Sequence, residues 1–126
     1  MSKNNLLNPV HEEILSVASE KFSENTCVYL INDPYWVAES VIILGAKNTI
    51  HCKTLIESIS KKLESSPHFL NHEDYFHPIR QSGSSQSGWM ILDTNSILIY
   101  AMLEEVRHFY AIDELFEKRA IVVHPT

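Results

Sequence analysis

Apolar positions along the chain change period from segment to segment. Val10, Ile14, Val17, Ala18 and Phe22 recur near the 3.6-residue spacing of a helix. Asn8 is placed to cap that helix, Pro9 suits its first position, and Glu12 and Glu13 suit the positive end of its dipole. Cys27 to Ile31 is then a nearly continuous apolar run ended by Asn32, Asp33 and Pro34, and Val41 to Leu44 is a second, stopped by Gly45. Both read as strands buried on two faces. Helical spacing returns in Cys52, Leu55, Ile56, Ile59 and Leu63, with Asn48 or Thr49 as cap and Lys53, Glu57, Lys61 and Glu64 toward water.

Residues 65–75 are polar and irregular, and residues 76–80 predict a short strand that Pro78 assigns to a sheet edge. SGSSQSG, residues 82–88, reads as a flexible loop. Two apolar strands follow, Trp89 to Asp93 and Ile97 to Met102, joined by the polar turn Asp93, Thr94, Asn95, Ser96. A helix is expected over residues 104–118 with Val106, Phe109, Tyr110 and Leu115 inward. The closing AIVVHPT fits either an edge strand or a packed tail. Strand, helix and strand in this order predict a right-handed crossover with some parallel pairing. The expected fold is therefore α/β, one domain over residues 1–126 with a mixed sheet of about five strands and flanking helices. Its core spans about residues 10–117 and its tail residues 118–126.

With 126 residues, 44% of them hydrophobic and 21% charged, the composition is that of an ordinary globular domain. No run is long and apolar enough for a membrane span, and MSKNNLLNPV lacks the apolar stretch of a secretory signal, so the expected location is the cytosol. Cys27 and Cys52 sit among apolar neighbours without Cys-x-x-Cys spacing and read as buried thiols. Ten basic against sixteen acidic residues give a formal charge of −6. Phosphate-backbone binding needs many cations, so nucleic-acid binding is disfavoured as the main activity and a basic protein partner is favoured.

Candidate chemistry is sparse. His68, His72, His77, Glu73 and Asp74 fall close together, but in a loop without Cys or an HExxH motif, so no metal site is assigned. No histidine is placed to activate a Cys or Ser nucleophile, and His51 near a helix start reads as a residue fixing the loop after Gly45. Trp89 is either a core residue at a strand start or an interface anchor, the second supported by the Ser/Gly loop before it and Met90 after it. Arg107 and Tyr110 share a helix face: either Arg107 pairs with Glu104 or Asp93 while Tyr110 packs on the sheet, or both touch a partner.

The spacing of Trp89, Asp93, Arg107, Tyr110, Leu115 and Phe116 around a hairpin, with Gly45 and His51 upstream, resembles the ribosomal silencing factor family, also called Iojap. The resemblance implies a nucleotidyltransferase-like topology. It implies a translational repressor that binds the large ribosomal subunit through its fourteenth protein and blocks the small subunit by occlusion. It also implies a docking surface of Ser82, Gly83, Ser85, Trp89 and Met102 with Glu104, Glu105, Arg107 and Tyr110, and no cofactor. The alternative is a metal-dependent nucleotidyltransferase or other phosphate-handling enzyme. That chemistry needs two carboxylates two residues apart on a strand, and here Gly83 and Ser84 precede Asp93, but the second position is Asn95 at a turn, so no enzyme is expected. A homodimer through an exposed sheet edge is a further option. Departures from the family pattern are Ser82 for a Glu, Asn95 for a Gly, Tyr100 for a His, Phe116 for a Trp, and one extra residue between Gly45 and His51. The first removes an expected ion pair with a basic partner; Asn95 tolerates the turn almost as Gly does.

Overall fold

A computed structural model describes residues 6–36, 38–75 and 78–125. Its sheet has six strands in the order β3-β4-β5-β2-β1-β6. These are β1 (Glu24–Ile31), β2 (Ser40–Ala46), β3 (Arg80–Ser84), β4 (Trp89–Asp93), β5 (Ile97–Leu103) and β6 (Ala120–Val123). β2 and β5 run parallel from Ser40↔Ile97 to Ala46↔Leu103, and the other neighbours are antiparallel. The α/β class and mixed sheet agree with the sequence reading. The strand beyond the expected five comes from the tail: the backbone of residues 120–123 pairs with β1, extending the sheet past residue 117.

Helix α1 (Pro9–Glu20) starts where the sequence indicates. The Asn8 side chain accepts the His11 N–H at 2.9 Å, and His11 Nδ1 accepts the Asn8 N–H at 3.1 Å, a reciprocal cap. Because Nδ1 accepts, Nε2 carries the ring proton and donates to Ser40 Oγ at 2.8 Å. Burial lowers the His11 pKa to about 4, so the ring is neutral at neutral pH. Helix α2 (Thr49–Glu64), capped by Asn48, packs beside α1 and buries Cys52, Leu55, Ile56, Ile59 and Leu63 against one sheet face. Glycine near the end of β2 has a steric reason: a Cβ on Gly45 would lie 2.3 Å from the Glu24 carbonyl oxygen of the irregular start of β1.

Four expectations need correction. Residues 65–75 are not wholly irregular: a helical turn, α3 (Pro67–Leu70), buries Phe69, which stacks on buried Tyr75 at 4.7 Å. The strand expected over 76–80 begins only at Arg80; Phe76 and His77 lie outside the described residues. The supposed loop 82–88 is the second half of β3 followed by a 3-10 turn over Ser85–Ser87. β3 is a sheet edge with all five residues exposed, so it has no apolar alternation to reveal it, and backbone pairing with β4 defines it.

The helix expected over 104–118 is two helices, α4 (Glu104–Phe109) and α5 (Ile112–Glu117), broken at Ala111 in the left-handed region, φ 47°. Phe109, Tyr110 and Leu115 therefore point outward instead of inward, Phe109 79% and Tyr110 61% exposed. The break allows Arg107 and Asp113, six residues apart and on different sides of a continuous helix, to meet.

Candidate partner-binding surface

β4 places alternate side chains on opposite faces. Met90 and Leu92 enter the core under α1 and α2, while Trp89, Ile91 and Asp93 face the other way. Register sets Trp89 opposite Met102, Ile91 opposite Tyr100 and Asp93 opposite Leu98. On this second face α4 and α5 pack against β1, β2, β6 and the end of β5. Trp89, Ile91, Leu98 and Tyr100 are left half-buried, a flat apolar strip open to solvent. The indole of Trp89 is thus neither sealed in the core nor free of it.

Gly83 sets the position of that indole. Its φ is +83°, and a Cβ there would lie 2.5 Å and 2.6 Å from Trp89 Cε3 and Cζ3. Only glycine satisfies both the backbone angle and the close approach. Ser82 lies on the exposed edge strand opposite Ile91, and Ser85 is half-buried in the turn that leads into Trp89. Ser84 Oγ accepts the Ser87 N–H at 3.3 Å, holding that turn.

Glu104 and Glu105 are exposed on the first turn of α4, at the end of β5 nearest Trp89. Met102 and Arg107 stand behind this surface: they are 3% and 8% exposed. Arg107 pairs with neither Glu104 nor Asp93. It donates to Asp113 from Nε at 2.6 Å and from Nη2 at 2.8 Å, and to the Asn25 carbonyl from Nη1 at 2.8 Å. Tyr29 donates its hydroxyl to the same carboxylate. Burial works against the Asp113 charge, but Arg107 and Tyr29 outweigh it and hold the carboxyl below its usual range. Tyr110, exposed at the α4–α5 break, rests edge-on against Phe109 and not on the sheet.

Leu98 and Tyr100 lie on the hairpin strand ending at Met102, which the family resemblance places in the docking surface; Ile91 belongs with them and Trp89, and the apolar pattern singles out none of the three. Their runs, WMILD and ILIYAML, are continuously apolar and read as buried on both sides; only the coverage of each face separates open from closed positions.

Other candidate chemistry is engaged elsewhere. Asp93 Oδ1 accepts the Asn95 N–H at 2.8 Å, so the carboxylate builds the hairpin turn, in which Asn95 takes φ 81°. His51 Nδ1 accepts the Lys47 N–H at 2.9 Å while Nε2 donates to the Lys21 carbonyl at 2.6 Å, clamping the loop after β2 to the end of α1. Cys27 and Cys52 are buried free thiols, both with raised pKa from burial. His72 lies 3.7 Å from Asp74, and among the described residues no group of three or more potential ligands is close enough to hold a metal; His77 lies outside them. Among the described residues no helix is long and apolar enough to cross a membrane.

The profile of the family described as ribosomal silencing factor during starvation (RsfS) matches residues 5–125. The chain belongs to this family. Its members are regulatory, ribosome-associated factors, so membership makes the protein one of translation regulation. Solved structures of low identity share the fold. One, from Chromobacterium violaceum, is 15% identical, covers 93% of this chain and 88% of its own, and has a TM-score of 0.72. Another, from Bacillus halodurans, is 14% identical, covers 98% and 100%, and has a TM-score of 0.67. None of the curated proteins compared matches the chain.

Proposed function

We propose that this silencing factor docks on the large ribosomal subunit through the open half of its sheet, contacts the basic fourteenth protein of that subunit, and represses translation by sterically blocking the small subunit. The observation that carries the reading is the half-buried strip of Trp89, Ile91, Leu98 and Tyr100 beside the exposed carboxylates of Glu104 and Glu105. An apolar aromatic centre with a charged rim is the usual anatomy of a docking surface, and the −6 chain favours a basic target. Ser82, Gly83, Ser85 and Tyr110 border the contact, while Met102 and Arg107 support it from beneath. Occlusion needs no covalent step, so this function requires no cofactor and no catalytic group. It is exerted in the cytoplasm, where ribosomal subunits join.

The test is co-sedimentation with purified large subunits, followed by subunit-joining assays. Trp89→Ala is expected to weaken binding by ~2 kcal/mol or more, as loss of a central aromatic anchor does. Wild-type binding by that variant would refute the assignment, and normal subunit joining with the bound factor present would refute occlusion.

A further inference from the structure

The open sheet face has a second aromatic feature at the end away from Trp89. The β1–β2 connection carries Tyr35 and Trp36 on a turn held by Asp33, whose Oδ1 accepts the Tyr35 N–H at 3.0 Å and whose carbonyl accepts the Trp36 N–H at 3.1 Å. The buried ring of Phe116 links this turn to the apolar strip from beneath. Tyr100 lies edge-on to Phe116 at 6.0 Å between centroids, and Trp36 lies edge-on to the same ring at 5.3 Å. Tyr35 is 94% exposed. The two hydrogen bonds to Asp33 hold the backbone that presents the Tyr35 ring to solvent, so part of the backbone entropy of that presentation is already spent before any contact forms.

The chemistry selects the kind of partner. Arg119 sits 5.1 Å over the Trp36 ring and 3.8 Å from the Asp33 carboxylate, so its charge is engaged within the turn. The turn therefore presents aromatic carbon and a phenol hydroxyl, suited to an apolar protein surface and poorly suited to a phosphate backbone, which the −6 charge also repels.

We infer that Tyr35 and Trp36 form a second anchor of the docking face and contact the same protein partner as Trp89, so that the footprint runs along the strands from one tryptophan to the other. This rests on the docking reading above. The two ends are well separated: Trp89 is opposite Met102, four residues along β5 from Leu98, about 13 Å of strand.

The experiment measures binding of wild type, Trp89→Ala, Tyr35→Ala and the double variant Tyr35→Ala/Trp36→Ala to intact large subunits and to the isolated fourteenth protein, with thermal melts of each. Tyr35→Ala should melt like wild type, since its side chain is almost fully exposed, yet weaken both interactions about fivefold; the double variant should weaken them about tenfold or more. Where the double variant melts early, the single Tyr35→Ala decides. If Trp89→Ala loses binding while Tyr35→Ala and the double variant bind as wild type does, the second anchor is refuted and the docking reading stands. Weakened binding to intact subunits alone would point to ribosomal RNA under the turn and refute the protein contact. Failure of the wild-type chain to bind either target would overturn the docking reading itself.

Discussion

The two faces of the sheet are covered by helices of very different length. On one, the 16-residue α2 lies beside the 12-residue α1, roughly 24 Å and 18 Å long at the usual helical rise. Together with α3 they close over Ile42, Leu44, Met90, Leu92, Ile99 and Ala101. On the other, α4 and α5 have six residues each, about 9 Å, set against a six-stranded sheet about 24 Å across. They protect Tyr29, Val41, Ile43 and Met102 and leave the β4–β5 end only half-covered. The same apolar strand composition thus yields a core on one side and a contact surface on the other. Helix length, more than residue type, separates them.

Adjacent residues of β4 give the sharpest way to break this contrast. Leu92→Ala opens a cavity in the closed face and should destabilise the fold by about 4 kcal/mol in urea unfolding. Equal stability of Leu92→Ala and wild type would mean that the closed face is not the principal core.

Acidification tests how the closed face is latched to the sheet. The pKa of His11 in the fold is lowered to about 4 from an ordinary 6.5, so the unfolded chain binds more protons between these values. Stability from this group is complete above pH 6.5 and is lost as pH falls toward 4, by about 3 kcal/mol. Protonation also removes the Nδ1 acceptor for the Asn8 N–H. The pH dependence of the unfolding midpoint should therefore be shallower across this window in His11→Gln; an unchanged slope would assign the acid sensitivity to other groups.

Arg107→Ala probes the short helices on the other face. It removes three hydrogen bonds and leaves the Asp113 carboxylate beside Tyr29 without its cation. Because Asp113 remains 27% exposed, water offsets part of the loss, and about 2 kcal/mol is expected. Hydrogen exchange should show the loss concentrated in α4 and α5, and uniform loosening of the whole sheet would contradict a local role. The smallest stability effect is expected at Ile91→Ala, under about 1 kcal/mol, since its side chain is only half-buried in the fold. Its effect on binding to large subunits should exceed its effect on unfolding, the reverse of Leu92→Ala.

Much of the fold is readable one segment at a time. Asn8 and Asn48 cap the helices they precede, the apolar periods of α1 and α2 match their buried faces, and Asp93 to Ser96 make the turn of the hairpin. Trp89 stands out as an anchor candidate because a Ser/Gly segment precedes it. Less readable are β3, polar because it is an exposed edge, and β6, whose Ala-Ile-Val-Val run suits a strand or a tail equally until β1 is there to pair with it.

Local sequence determined the caps, the helical and extended periods, the hairpin and the acidic charge, because each depends on residues a few positions apart. Tertiary structure alone decided which apolar strand residues are core and which are surface, and where the last helix breaks. Those outcomes depend on partners distant along the chain: α2 over Leu92, only partial cover over Ile91, and Tyr29 and Asn25 of β1 holding Arg107 and Asp113 together across a turn that Ala111 would not adopt by preference.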